Sequence, residues 1–184
     1  MPEIVCGTNW IDWHNGRFEA YKFTDYNYLA TKCAAADLDG DGKIEIVLSE
    51  GDPCIYGRPQ GGRLCVFHQG ADPYCMWDMQ LLEDHLLDAH TLCIGDVCGN
   101  GRLDIVCGEV GKSDVSRRYL DREPRLLLFE NNPGAGFTRH VLDEGTGIHE
   151  GCLCDLTGNG TLDIIGKPLH GAGRWNIYAW LNER

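Results

Sequence analysis

The sequence predicts an all-β protein built from four-stranded antiparallel sheets arranged as the blades of a β-propeller, and three observations lead there. Three acidic, glycine-rich segments recur at one spacing: their first aspartates, Asp37, Asp96 and Asp155, lie 59 residues apart. Each segment stands between a short apolar run and a β-branched run, IEIV, LDIV or LDII. A later apolar run completes each unit (GRLCVFH, PRLLLFEN, WNIYAWLN), and two units continue into an aromatic-led segment, WDMQLL or FTRHVL. Four short strands per period match a radially repeated sheet, whereas a solenoid would use shorter repeats. The only helical periodicity is a weak stretch from Leu81 to Ala89.

Taken in order, PEIVCG from Pro2 reads as the second strand of a blade, WIDWHN from Trp10 as its third and FEAYKF from Phe18 as its fourth. Residues 1–32 are therefore expected to form a partial blade, 33–90 a complete blade with an intact acidic loop, 91–149 a second complete blade, and 150–184 another partial blade. The whole of 1–184 reads as a single repeat domain. Two complete blades and two pieces are fewer than the roughly four to eight of a closed ring. The expectation is a fragment of a longer propeller, or a ring closed by homo-oligomerisation through exposed blade edges.

Composition limits the partners. Hydrophobic residues make up 43% of the 184 positions and charged residues 24%, and 24 glycines against 7 prolines indicate many tight turns. The net charge of −12 opposes binding to nucleic acid or to an anionic membrane. There is no apolar run long enough to span a bilayer and no signal-peptide layout at the start. A complete chain would be cytoplasmic; a fragment of an exported protein would be extracellular. The 10 cysteines contain no C-x-x-C and mostly occupy small-hydrophobe positions, which suits free buried thiols in a reducing compartment, with disulfides left open.

The first acidic loop alternates Asp37, Asp39 and Asp41 with Leu38, Gly40 and Gly42, and Glu45 follows. Carboxylates at positions 1, 3, 5 and 9, with the Lys43 carbonyl near position 7, can wrap a hard cation in oxygen. Leu48 stands at position 12, where an EF-hand needs a glutamate, so this is not an EF-hand. The sequence here resembles the FG-GAP or VCBS repeat family of calcium-binding β-propellers, whose blades carry D-x-D-G-D-G-x-x-D/E-I-V. The resemblance covers nearly the whole chain and implies Ca2+ in the loop between the first two strands of a blade. The first loop matches at Asp37, Asp39, Asp41 and Glu45. The second retains Asp96, Asn100 and Asp104 but has Cys98 at position 3; the third retains Asp155, Asn159 and Asp163 with Thr157 there. Fewer charges mean weaker binding. Without metal, the same side chains would cap the turn through Asx hydrogen bonds.

His90 and His149 occupy one repeat position, filled by Thr31 in the first complete unit. In a propeller of this type that position is the channel mouth, opposite the acidic loops. The loops expected on the same face bring Glu109, Lys167 and His170, together with Lys112, Arg117, Arg118 and the exposed-ring candidate Trp175. Histidines beside acids and cations are the parts for proton abstraction next to a carboxylate. Two readings follow: a calcium-stabilised module binding a protein or carbohydrate ligand through its loop face, or a sugar-active enzyme of polysaccharide lyase or dehydratase type using His90, His149, Glu109, Lys167 and His170. Alternatively, the histidines make structural hydrogen bonds between neighbouring blades. Nucleotide-loop, zinc-finger and G-x-S-x-G hydrolase motifs are absent.

Overall fold

The computed structural model describes residues 3–58, 60–110, 122–171 and 173–184. Pro2, at the start of the first expected strand, and Lys112, Arg117 and Arg118 lie outside the described residues. Strands β1 (Ile4–Cys6), β2 (Asn9–His14) and β3 (Arg17–Lys22) make a three-stranded antiparallel sheet. Strands β4 (Thr31–Ala36), β5 (Glu45–Glu50), β6 (Gly62–His68) and β7 (Asp78–Leu86) make a four-stranded one. Another four-stranded sheet joins β8 (Ala89–Gly95), β9 (Asp104–Glu109), β10 (Arg125–Asn132) and β11 (Gly136–Glu144). Strands β12 (Glu150–Cys154), β13 (Asp163–Lys167) and β14 (Tyr178–Trp180) close the series with three. Every pairing joins neighbours in sequence.

The stretch from Leu81 to Ala89 is not helical. Strand β7 runs through Leu86 and β8 starts at Ala89, the chain reversing at Asp88 with a left-handed φ of 49°. Pairing with β6 overrides the weak helical pattern.

Strand alternation builds one core between each pair of consecutive sheets. Ile46 and Leu48 point from β5 toward the first sheet, into a cluster with Trp10, Phe23, Phe67 and Trp77. Val47, between them, points the other way and meets Ile105, Cys107, Leu127 and Phe129. Val106 in turn faces the last sheet beside Leu128, Ile148 and Ile164. Hence β5 and β9 are buried along their whole length, which explains their unbroken apolar runs. Full burial of one such side chain stabilises by about 1.5–3 kcal/mol. Trp10 and Trp77 both donate an indole N–H to the Pro73 carbonyl, at 3.2 and 2.9 Å, joining the first two sheets.

All ten cysteines are free, but only Cys54, Cys65 and Cys107 are buried; Cys6, Cys33, Cys75 and Cys152 are exposed. The expectation of mostly buried thiols therefore holds only for Cys65 on β6, Cys107 on β9 and Cys54 in the loop after β5. Cys33 and Cys152 lie on half-exposed strands, where alternate residues turn away from the core.

Successive sheets touch through their first strands: β4 lies against β8 and β8 against β12, with β1 against β4. The acidic loops leave the C-terminal ends of β4, β8 and β12, and His90 and His149 stand at the N-terminal ends of β8 and β12. The two features predicted from the repeat thus occupy opposite ends of the same strands.

Candidate functional site

The glycines of the acidic loops are required by backbone shape: Gly40 and Gly42 have φ of 80° and 86°, and Gly99, Gly101, Gly158 and Gly160 repeat this left-handed geometry. The first aspartate closes each turn. Asp37 accepts the N–H groups of Gly40 and Gly42 at 2.8 and 3.0 Å, Asp96 those of Asn100 and Gly101, and Asp155 those of Gly158, Asn159 and Gly160. Asp41, Asn100 and Asn159 each accept the N–H two residues further on. The acid at position 9 is buried in all three loops: Glu45, Asp104 and Asp163 accept the N–H groups of Leu38, Val97 and Leu156. Burial pushes the Glu45 carboxyl up, while backbone N–H groups, that of Asn182 foremost, hold Asp163 down.

Turn-capping hydrogen bonds therefore operate in every loop. What distinguishes the first is charge: Asp37, Asp39 and Asp41 bring one carboxylate oxygen each within 4.8 Å of the others. Among the described residues, no such group of three acidic, thiol or imidazole ligands forms at the second or third loop. The donor set of the first loop fits a hard cation, with Lys43 following Asp41 in the same turn.

A pair of asparagines that sequence reasoning missed locks these loops together. The Asn131 side chain donates to the Leu38 carbonyl of the preceding sheet at 2.6 Å, and Asn182 donates to the Val97 carbonyl at 2.8 Å. Leu38 and Val97 are equivalent residues, one period apart. Each asparagine also anchors its own backbone N–H on the buried aspartate of its sheet, Asp104 or Asp163. These bonds set consecutive acidic loops side by side. The readable signal was an Asn at or just past the end of the third strand in two of the units, in FENN and WLN.

At the opposite end, His90 and His149 stack with ring centroids 4.8 Å apart and planes inclined by 24°. His90 Nε2 lies 3.0 Å from Asp52 of the preceding sheet. His149 Nδ1 lies 3.4 Å from Glu150, which also meets Lys32 of β4 at 3.5 Å. The cluster bridges three sheets. Lys167 adjoins it through its backbone, whose carbonyl accepts the His149 N–H at 2.7 Å. His170 lies in the loop after β13, and among the described residues no hydrogen bond joins it to the histidine pair.

Glu109 does not join them either. It is fully buried, with its carboxylate held by Arg122 and Arg125 and by the backbone N–H groups of Leu87 and Arg125. Glu50, one period earlier, repeats this arrangement with Arg58, Arg63 and the N–H groups of Leu29 and Arg63. The arginines bind a second target, the carbonyls of His85 and Asn27. A duplicated, two-arginine cage marks these glutamates as braces of the loop face, closing the start of each four-stranded sheet onto its second strand.

No family model matches this chain, and no curated protein matches it.

The histidine cluster makes stability depend on pH. Burial, and next to it the His90 imidazole, push the His149 pKa below the ordinary imidazole value. The unfolded chain then takes up this proton first as pH falls, so the linkage contributes nothing well above about pH 6.5 and destabilises progressively below it. Urea unfolding of wild type and His149→Gln at about pH 7.5 and about pH 5.5 checks this. The wild type is expected to lose more stability than the variant on acidification; equal losses would remove the imidazole from the account.

Proposed function

We propose that the chain is a calcium-stabilised β-propeller module of FG-GAP/VCBS type, binding a protein or glycan ligand through the face opposite its acidic loops. The observation that carries this reading is the threefold loop: one spacing, one hydrogen-bond scheme, and side-by-side placement through Asn131 and Asn182. Contacts between first strands of successive sheets support the radial arrangement. Trp175, 79% exposed with the Arg174 guanidinium 5.1 Å from its ring, offers an aromatic surface suited to a sugar ring.

The sugar-active enzyme is the weaker reading. His90 is engaged with Asp52 and stacked on His149, and Glu109 is enclosed by arginines. One open pocket of about 320 Å3, beside Val97, Leu128 and Trp180, lies away from the histidines.

Calcium is expected to raise the melting temperature chiefly through the first loop. Binding to the native state at about 100 times Kd adds about 2.7 kcal/mol, which for a chain of this size is about 5–10 °C. Thermal unfolding with calcium and with chelator measures it. Asp39→Ala should remove most of the shift, whereas Asp155→Ala should leave the calcium response in place. An unchanged wild-type melting temperature would end the calcium reading.

A further inference from the structure

The buried acid at position 9 is used differently in the first loop than in the other two. Asp104 gives Oδ2 to the N–H groups of Val97 and Cys98 and Oδ1 to that of Asn131. Asp163 gives Oδ2 to Leu156 and Thr157 and Oδ1 to Asn182. Glu45, whose side chain is 2% exposed, gives Oε2 to Leu38, and among the described residues no hydrogen bond reaches Oε1. That oxygen faces Nδ1 of His68 at 3.8 Å, beyond hydrogen-bond length.

The other nitrogen of the ring fixes what Nδ1 presents. His68 Nε2 lies 3.3 Å from the amide oxygen of Gln80, which only accepts, so a neutral ring with its proton on Nε2 presents a lone pair at Nδ1. A lone pair turned toward the Glu45 carboxylate oxygen is repulsive unless a proton on Nδ1 or a metal cation lies between them. Asp39 completes the group: Asp39, Glu45 and His68 each bring a ligand atom within 4.8 Å of the other two. Asp39 Oδ1 accepts the Asp41 N–H at 3.0 Å, which leaves Oδ2 for a ligand.

We propose that Asp39, Glu45 and His68 form a site for a divalent transition metal of zinc type. One imidazole nitrogen with two carboxylates suits zinc or manganese better than calcium, which prefers an all-oxygen shell. Donors bound to one zinc at about 2.0–2.1 Å lie about 3.4 Å apart at the tetrahedral angle and at most about 4.2 Å apart. The separation of 3.8 Å between Nδ1 and Oε1 falls in that window. Gln80 holds the ring in the ligating tautomer, as hydrogen-bond partners of metal-bound histidines do. The site shares Asp39 and Glu45 with the calcium loop but uses neither Asp37 nor Asp41, and it does not depend on calcium binding.

Zinc titration of the whole chain in calcium-free buffer, followed by two-bond proton–nitrogen correlation of the histidine rings, tests it. This readout separates His68 from zinc taken up by free thiols. Zinc is expected to move the His68 Nδ1 resonance while Nε2 stays protonated. His68→Gln should abolish the histidine-linked binding step, and Gln80→Leu should weaken it about 10–100-fold. The calcium-induced melting shift of His68→Gln should match that of wild type, which shows that the variant folds. An Nδ1 resonance unmoved at saturating zinc, an Nδ1 still protonated there, or equal zinc affinity in wild type and His68→Gln would overturn the site. If zinc moves Nδ1 while calcium leaves the wild-type melting temperature unchanged, the calcium reading falls alone.

Discussion

Glu109→Ala is expected to destabilise the protein by about 3–5 kcal/mol, because it removes the carboxylate that both Arg122 and Arg125 grip and leaves Arg125 only the longer pair with Glu83 at 3.6 Å. Arg122 and Arg125 are only 24% and 13% exposed, so solvent cannot take over the role of the carboxylate. Both guanidinium groups would then face each other across an empty carboxylate position, and the N–H groups of Leu87 and Arg125 would lose their acceptor. For a chain of this size the cost is about 6–20 °C in melting temperature. Glu109→Gln should fall between, since the amide oxygen still accepts but the charge is gone. Urea unfolding measures both. A loss under about 1 kcal/mol for the alanine variant would mean that the network is as weak as an exposed pair. Glu50→Ala should behave alike, because its cage has the same composition.

The strand order and the acidic loops were legible because both are local: an apolar run, a turn with obligatory glycines and a β-branched run lie within about one loop length of each other. The glutamate cage was half legible. Glu50 and Glu109 end buried strands whose central residues are apolar, and a charge at the end of a buried run requires a partner. The partners were hidden because Arg58 stands 8 residues after Glu50 while Arg122 stands 13 after Glu109, so loop length breaks the period. The histidine pair was legible as one repeat position, but its partner Asp52 comes from a neighbouring loop that no spacing rule connects to it. The place of His68 was not legible, since its closeness to Glu45 depends on the β5–β6 pairing. The weak helical period from Leu81 to Ala89 arises because an edge strand with apolar residues on its half-buried face can mimic one over a few residues.

Gly108→Ala is expected to cost about 3 kcal/mol, the upper part of the range for overpacking a filled core. A Cβ at Gly108 would lie 1.9 Å from Cγ2 of Ile148, and one at Gly166 would lie 2.0 Å from its Cδ1. Gly151 is also tight, at 2.7 Å from the same Cδ1. None of these glycines has a left-handed φ, so space rather than backbone shape requires them. The repeat itself displays the alternative solution. One period earlier, Ala89 stands for Ile148, while Ser49, Leu92 and Cys107 stand for Gly108, Gly151 and Gly166. A larger residue at the centre has been matched by three smaller ones around it. Ile148 is fully buried and cannot yield toward solvent. In an Ile148→Ala background, which itself should cost about 2–5 kcal/mol through the cavity it opens, Gly108→Ala is therefore expected to become neutral or stabilising. The coupling between the two changes should reach the upper part of the range of about 0.5–3 kcal/mol seen for residues sharing a packing site, roughly the whole overpacking cost. A double-mutant cycle in urea measures it, and a Gly108→Ala cost that is the same in both backgrounds would show that Ile148 is not what the glycine accommodates.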